Sequence, residues 1–163
     1  MADENKEQVE ETGCCPRFDP EPWDQKEMVF KDRIFVKDNV LTIFHIPFGF
    51  GRVMFNNIKK IIKAGAISDD PLLLYHVRSL WRAEVYIAVS KDVPAAKMEV
   101  ISGTFMTKVY EGPFSQNSKW MKDMTKYVKS KGKQPKKMYM YYTTCPKCAK
   151  VYGKNYTVLF AEV

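Results

Sequence analysis

Two stretches of the sequence decide the predicted fold: VLTIFHIPFGFGRVMFNNIKKIIKAGA (residues 40–66) and TFMTKVYEGPFSQNSKWMKDMTKYVKSKG (residues 104–132). Each contains an apolar strand-like run, a proline followed by a phenylalanine, apolar residues at helical spacing, and a glycine that ends the helical pattern. The Pro-Phe pairs begin at Pro47 and Pro113, which are 66 residues apart (113 − 47). Two further strand-like runs follow each helix, at 72–77 and 84–89 in the first half and at 138–143 and 156–163 in the second.

This repeated order of elements predicts the fold class. We expect an α+β fold of duplicated β-α-β-β units with pseudo-two-fold symmetry, about eight strands and two main helices, and a ligand cleft between the halves. The first repeat covers about residues 38–90 and the second about residues 98–163. Residues 1–37 are predicted to be a flexible acidic tail and a proline-rich extended arm with short strands, in which Trp23 packs on the domain.

Length and composition agree with one globular domain. The chain has 163 residues, of which 45% are hydrophobic. Its longest nearly apolar stretch, residues 40–51, is shorter than the roughly 20 residues that a membrane helix needs. The first residues, MADENKEQVEE, are acidic, whereas a secretory signal begins with basic residues. We therefore expect a cytoplasmic protein without a membrane partner, and the sequence does not indicate its oligomeric state.

The net charge of +7 is distributed unevenly. Residues 1–12 carry five acids and one lysine, a net of −4, whereas residues 108–154 carry twelve lysines against Glu111 and Asp123, a net of +10. Lysines of this kind form a solvated face or attract anions. Sequence-specific DNA binding is not expected, because reading of bases favours arginine side chains and this region has none.

The four cysteines form two pairs, Cys14-Cys15 and Cys145-Pro146-Lys147-Cys148. Four thiolates can hold a zinc ion, so a Zn site is one interpretation of the pairs. A redox dithiol at the CxxC spacing is a second interpretation, and inert structural thiols are a third. No cofactor other than zinc is predicted.

The turn Tyr110-Glu111-Gly112-Pro113-Phe114 and the tyrosine-bearing strand after the second helix resemble the GyrI-like small-molecule-binding superfamily, which includes the effector-binding domains of multidrug-sensing regulators. The resemblance covers about residues 38–163 and identifies the chain as similar to a stand-alone member. It implies a duplicated eight-stranded fold with a cleft that binds amphipathic, often cationic compounds. The resemblance also implies a second activity, hydrolysis of strained, toxin-like molecules, which some stand-alone members carry out.

Two features depart from that family. Its regulators carry a helix-turn-helix domain ahead of this one, and the roughly 38 residues available here are too few and too proline-rich for it. Members that bind cations or hydrolyse ligands tend to have a glutamate early in the strand after the second helix, where this sequence has Tyr139. A tyrosine is un-ionised near neutral pH and does not replace a carboxylate as a base.

Strand alternation selects the candidate binding residues. In residues 83–89 the apolar set Ala83, Val85, Ile87 and Val89 is expected to face the helices, which leaves Glu84 and Tyr86 for the cleft. Aromatic rings around an isolated carboxylate suit a flat or cationic guest. The predicted ligand-binding residues are Trp81, Glu84, Tyr86, Tyr110, Tyr139 and Tyr141.

Three functions remain open from the sequence. The first is a small-molecule-binding protein that catalyses no reaction. The second is a hydrolase in which Glu84 or Glu111 activates water, since burial raises the pKa of a carboxyl group toward neutrality. The third is a zinc-clipped or redox-sensing domain that uses both cysteine pairs. The first is our leading hypothesis, so the enzyme question is left open, with binding preferred.

Overall fold

A computed structural model describes residues 17–44, 46–144 and 146–163, except for the side chains of Pro146 and Lys147. The described chain forms two compact units, one of residues 29–104 and one of residues 105–163 with the N-terminal segment up to Met28. The strand pairs within each unit are antiparallel, and the described chain has two 14-residue helices, so the predicted α+β class and the two main helices are confirmed. The predicted duplication and the predicted cleft remain predictions.

The unit of residues 29–104 is a sheet with one helix. Strand β1 (Lys26–Ile43) begins at the end of the N-terminal arm and pairs with β2 (Ile46–Phe48) and β4 (Arg82–Ala88). Strand β3 (Leu73–Val77) pairs with the other side of β4. Helix α1 (Phe50–Lys63) stands between β2 and β3 in the chain.

Helix α1 packs on one face of this sheet through its apolar stripe. Ile61 lies in a buried cluster with Val36 of β1 and Val89 beyond β4, and Ile87 of β4 packs against the same cluster. The glycine that follows the helix, Gly65, has φ +63°, a left-handed conformation that a side chain disfavours. The helix therefore ends where the glycine pattern predicts.

The unit of residues 105–163 contains three strands, one long helix and one short helix. Strand β5 (Lys97–Glu111) reaches it from the preceding unit and leads through a 3-10 turn (Phe114–Gln116) into helix α2 (Asn117–Ser130). Then come β6 (Met138–Tyr142), a short helix α3 (Pro146–Tyr152) and β7 (Tyr156–Glu162). Strand β7 lies between β6 and β5. In total, the described residues form seven strands, whereas about eight were expected.

Two local predictions differ from the structure. The sequence pattern predicts two short strands at 28–30 and 34–36 with a turn between them, but β1 continues through this region. Asp32 takes a positive φ of +48° there; its backbone N–H donates a hydrogen bond to the Ser102 hydroxyl, which in turn donates one to the Asp32 carboxylate, and the strand continues through the predicted turn. Consequently the predicted boundary at residue 37 falls inside β1. Helix α3 lies between the runs at 138–143 and 156–163, in addition to the two main helices that the sequence predicts.

No helix in the described part of the chain combines the length and apolarity needed to cross a membrane.

Candidate functional site

Glu84 is a buried acid in the middle of β4, with 2% of its surface exposed. One carboxylate oxygen, Oε1, lies 3.2 Å from both Lys37 Nζ and Arg78 Nη1. The other, Oε2, accepts a hydrogen bond of 2.7 Å from the Tyr86 hydroxyl. Two cations and a hydroxyl thus compensate for the loss of water around the carboxylate.

The strand register explains why these groups meet. Lys37 is paired with Tyr86, and Glu84 lies beside Tyr86 on the same face two residues along β4. Asp38, the next residue on β1, leaves the sheet on the opposite face and accepts a 2.7 Å hydrogen bond from Asn57 of α1. Glu84 and Tyr86 therefore lie on the face away from the helix, as the alternation predicts.

Exposed apolar side chains share this helix-free face. Residues 41 and 43 of β1 are directly opposite residues 48 and 46 of β2, so their four side chains leave from one side of the hairpin. Next to this hairpin, Trp81, which precedes β4, is 54% exposed and packs on Phe44, which follows β1, with ring centroids 5.5 Å apart. Scattered exposed apolar residues are ordinary, but a contiguous group beside a charged cluster indicates a binding surface. The exposed group on this face is Leu41, Ile43, Ile46 and Phe48.

The predicted tyrosines of the other unit fall on two different faces. Tyr139 is buried against Phe105, with ring centroids 6.1 Å apart, and Tyr141 lies 5.5 Å from Trp23. Tyr110 instead faces α2, where its ring stacks on Trp120 at 5.6 Å. Tyr110 therefore does not share a surface with Tyr139 and Tyr141.

A polar cluster fixes Tyr110 against α2. Its hydroxyl donates a 2.8 Å hydrogen bond to Asp123 Oδ2, and Lys108 Nζ lies 2.7 Å from the same oxygen. Burial and the hydrogen bond to Asp123 raise the pKa of Tyr110. The hydrogen bonds from Lys108 and then Tyr110 lower the pKa of Asp123. Tyr110 therefore stays protonated and positions the helix.

The N-terminal arm covers the aromatic face that carries Tyr141. Trp23 lies 6.0 Å from Phe160 of β7 as well as close to Tyr141, which confirms that it packs on the domain. The Thr107 hydroxyl donates a hydrogen bond to the Trp23 carbonyl, and the Val109 N–H donates a 3.0 Å hydrogen bond to the carboxylate of Asp24. The N-terminal arm, residues 17–24, is therefore held against β5 by hydrogen bonds and ring contacts.

Glu111, the second candidate acid, is exposed at the end of β5. It lines a shallow open depression of about 600 Å³ together with Phe114, Lys150 and Lys154. Glu111 therefore faces solvent, unlike the buried Glu84.

Of the cysteines, only Cys148 lies within the described residues, where α3 buries it completely. Cys14, Cys15 and Cys145 lie outside them, so the zinc and redox interpretations remain predictions. Within the described ranges no three metal-ligating side chains (His, Cys, Asp or Glu) come together.

Sequence patterns place Glu84 and Tyr86 but do not predict their partners. Lys37 reaches Glu84 from β1 and Arg78 from the turn between β3 and β4. In the sequence, neither basic residue belongs to a motif that would mark it as a partner of Glu84. The strand register that joins them to Glu84 has no signal in one sequence.

A family model of bacterial hydrolases matches residues 5–163, nearly the whole chain. The chain belongs to the bacterial hydrolase family. None of the curated protein sequences matches this family member.

Three solved structures share its fold. The C-terminal domain of EcmrR is 12% identical with a TM-score of 0.64, covering 86% of this chain and 96% of that one. A hydrolase from Listeria innocua is 12% identical with a TM-score of 0.61 and covers 97% of both chains. SAV2435 bound to tetraphenylphosphonium is 10% identical with a TM-score of 0.50, covering 85% of this chain and 92% of that one. These likenesses are consistent with a GyrI-like fold.

Proposed function

We propose that this protein is a stand-alone GyrI-like domain that binds a small amphipathic or aromatic molecule on the helix-free sheet face of residues 29–104. One observation carries the proposal: a buried charged cluster and a group of exposed apolar side chains lie on the same face. The polar end of a guest would meet the exposed guanidinium of Arg78 at the edge of the charged cluster, and its apolar body would lie on the β1–β2 hairpin beside Trp81. Exposed apolar area of this kind gains free energy when a guest covers it.

The charges around Glu84 bear on the guest. The carboxylate already has two cationic partners, so a cation gains less there than it would from an isolated acid. The exposed aromatic ring of Trp81 still attracts cations through its face. SAV2435, a structure of similar fold, holds the lipophilic cation tetraphenylphosphonium, which makes that compound a reasonable first probe.

The test is a titration with tetraphenylphosphonium, neutral triphenylphosphine oxide and anionic tetraphenylborate, followed by tryptophan fluorescence. Saturable quenching by at least one compound, lost in Trp81→Ala, supports the proposal. Glu84→Gln should change the preference among the three charges, whereas Asp92→Asn, at an exposed acid of the same unit, should not. Equal quenching of wild type and Trp81→Ala by every compound would overturn it.

Hydrolysis is the second candidate function, favoured by the family to which the chain belongs. Glu84 is the acid we infer to act, because it is buried and hydrogen-bonded to Tyr86. Its carboxylate would accept a proton from water as the water oxygen bonds to a ring carbon of an epoxide or aziridine. The ring C–O or C–N bond breaks, the released heteroatom takes up a proton from solvent, and the tyrosine hydroxyl orients the carboxylate. Incubation with epoxides or aziridines, analysed by mass spectrometry, decides between the two. Turnover that disappears in Glu84→Gln would replace simple binding with catalysis.

A further inference from the structure

A second, smaller cavity lies in the unit of residues 105–163, where the N-terminal arm meets α3 and the start of β7. Its volume is about 210 Å³, and neither the proposed guest nor the predicted hydrolysis involves it. It is lined by Arg17, Phe18, Thr144, Tyr152, Lys154 and Tyr156.

The hydroxyl of Thr144 gives this cavity a polar group that needs a partner. Thr144 is only 7% exposed, and its Oγ1 has no hydrogen-bond partner among the described residues. A buried hydroxyl without a partner loses its bonds to water and regains nothing. Because the hydroxyl can donate as well as accept, an anionic oxygen at this position would satisfy it.

The charged residues of the lining are both cationic. The Arg17 guanidinium lies 4.6 Å from the centroid of the Tyr152 ring, and this cation–π contact holds the guanidinium beside the cavity. Lys154 makes no ion pair with any of the described residues, so no described acid neutralises its charge. Among the described residues that line the cavity there is no acid. The site therefore selects against cations and favours an anion.

The remaining walls are aromatic. Phe18 and Tyr156 lie with ring centroids 5.7 Å apart, and Tyr152 adds a third ring. Flat apolar walls favour a planar guest, since stacking gains more contact with a ring than with a flexible chain. The volume corresponds to about seven water molecules at roughly 30 Å³ each, enough for one six-membered ring with one charged substituent.

We propose that this cavity is a binding site for a small aromatic carboxylate. The carboxylate would accept hydrogen bonds from the Thr144 hydroxyl and the Lys154 ammonium, and the ring would stack among Phe18, Tyr152 and Tyr156. The inference stands independently of the site at Glu84, because it uses other residues, a different unit and the opposite ligand charge.

The test uses the full chain and benzoate as the probe, with benzamide and benzylammonium as neutral and cationic analogues of the same shape. Binding is measured by ligand-detected NMR titration at low and high salt. Benzoate should bind about tenfold more tightly than either analogue, because hydrogen bonds to a charged acceptor are the stronger ones. Its affinity should fall as salt screens Lys154.

Two variants locate the site. Thr144→Val removes the hydroxyl at nearly constant shape, and Lys154→Met removes the charge while keeping an unbranched chain; each should weaken benzoate binding about fivefold or more. Lys150→Met makes the same charge change on α3 outside this cavity and serves as the matched control. Benzoate that binds no better than benzamide, or that is weakened equally by all three variants, would overturn the proposal.

Discussion

Replacing Glu84 by glutamine tests how the charged cluster contributes to the stability of the fold. The substitution keeps the size of the side chain but removes the negative charge between Lys37 and Arg78. The Lys37 side chain is only 14% exposed, so its ammonium would remain largely buried without its main partner. Removing one partner of a buried ion pair costs about 3–5 kcal/mol.

Two features of the cluster reduce that figure. Arg78 is 56% exposed, so water can replace the carboxylate at its guanidinium. Glu99 Oε2 lies 3.9 Å from Lys37 Nζ and keeps a weaker, half-exposed acid near it. We therefore expect Glu84→Gln to lower the free energy of unfolding by about 2–3 kcal/mol, which is a fall in Tm of roughly 5–10 °C for a chain of this size.

Urea unfolding followed by circular dichroism measures the change. The double variant Lys37→Met/Glu84→Gln removes both charges and should recover about half of the loss, because a buried pair replaced as a whole costs far less than a broken one. Arg78→Met, at the exposed partner, should cost less than about 1 kcal/mol. Two results would contradict this account of the cluster: Glu84→Gln costing no more than Arg78→Met, or the double variant losing as much stability as Lys37→Met and Glu84→Gln measured separately and added together.

Three further predictions concern other parts of the chain. The pKa of Asp123 is lowered in the folded protein, so its contribution to stability is fully present above its ordinary pKa of 3.8 and is lost as the pH falls through the lower folded-state pKa. Asp123→Asn should therefore lower the free energy of unfolding by about 0.5–1 kcal/mol at pH 7. The difference should vanish at a pH where Asp123 is protonated, and urea unfolding across pH measures it. Trp23→Ala should cost about 2–3 kcal/mol and reduce the near-UV circular dichroism, because the ring is half-buried among aromatic neighbours; an unchanged midpoint would show that the arm is not attached. Gly65→Ala should cost about 1–2 kcal/mol from backbone strain at φ +63°, since the nearest atom to the new methyl, Lys91 Nζ, is 3.7 Å away and leaves room for it; a stabilised Gly65→Ala would contradict the left-handed conformation.

Local pattern was enough to place the elements that have strong periodicity. Helix α1 and helix α2 lie where apolar residues recur at helical spacing, and both are followed by glycines of positive φ, Gly65 and Gly132. The face of β4 that carries Glu84 also follows from alternation alone, because side chains on a strand have a period of two. These features depend on neighbours within a few residues.

Features that depend on distant pairing were not accessible. Asp32 stays within one long strand because Ser102, 70 residues away, bonds both its N–H and its carboxylate. Tyr110 and Lys108 lie on the same face of β5, but the sequence does not show that this face packs against α2. Helix α3 is only seven residues long, too short to display a helical period.

The arm has a practical consequence for any shortened version of the chain. Asp24 caps a backbone N–H of β5 at Val109, and Trp23 covers the rings of Tyr141 and Phe160. A chain starting at Gln25 would present an uncapped strand edge beside bare aromatic surface, the combination that lets sheets of separate molecules join. Such a truncated chain is expected to self-associate, so the N-terminal arm should be kept in any shortened version of the protein.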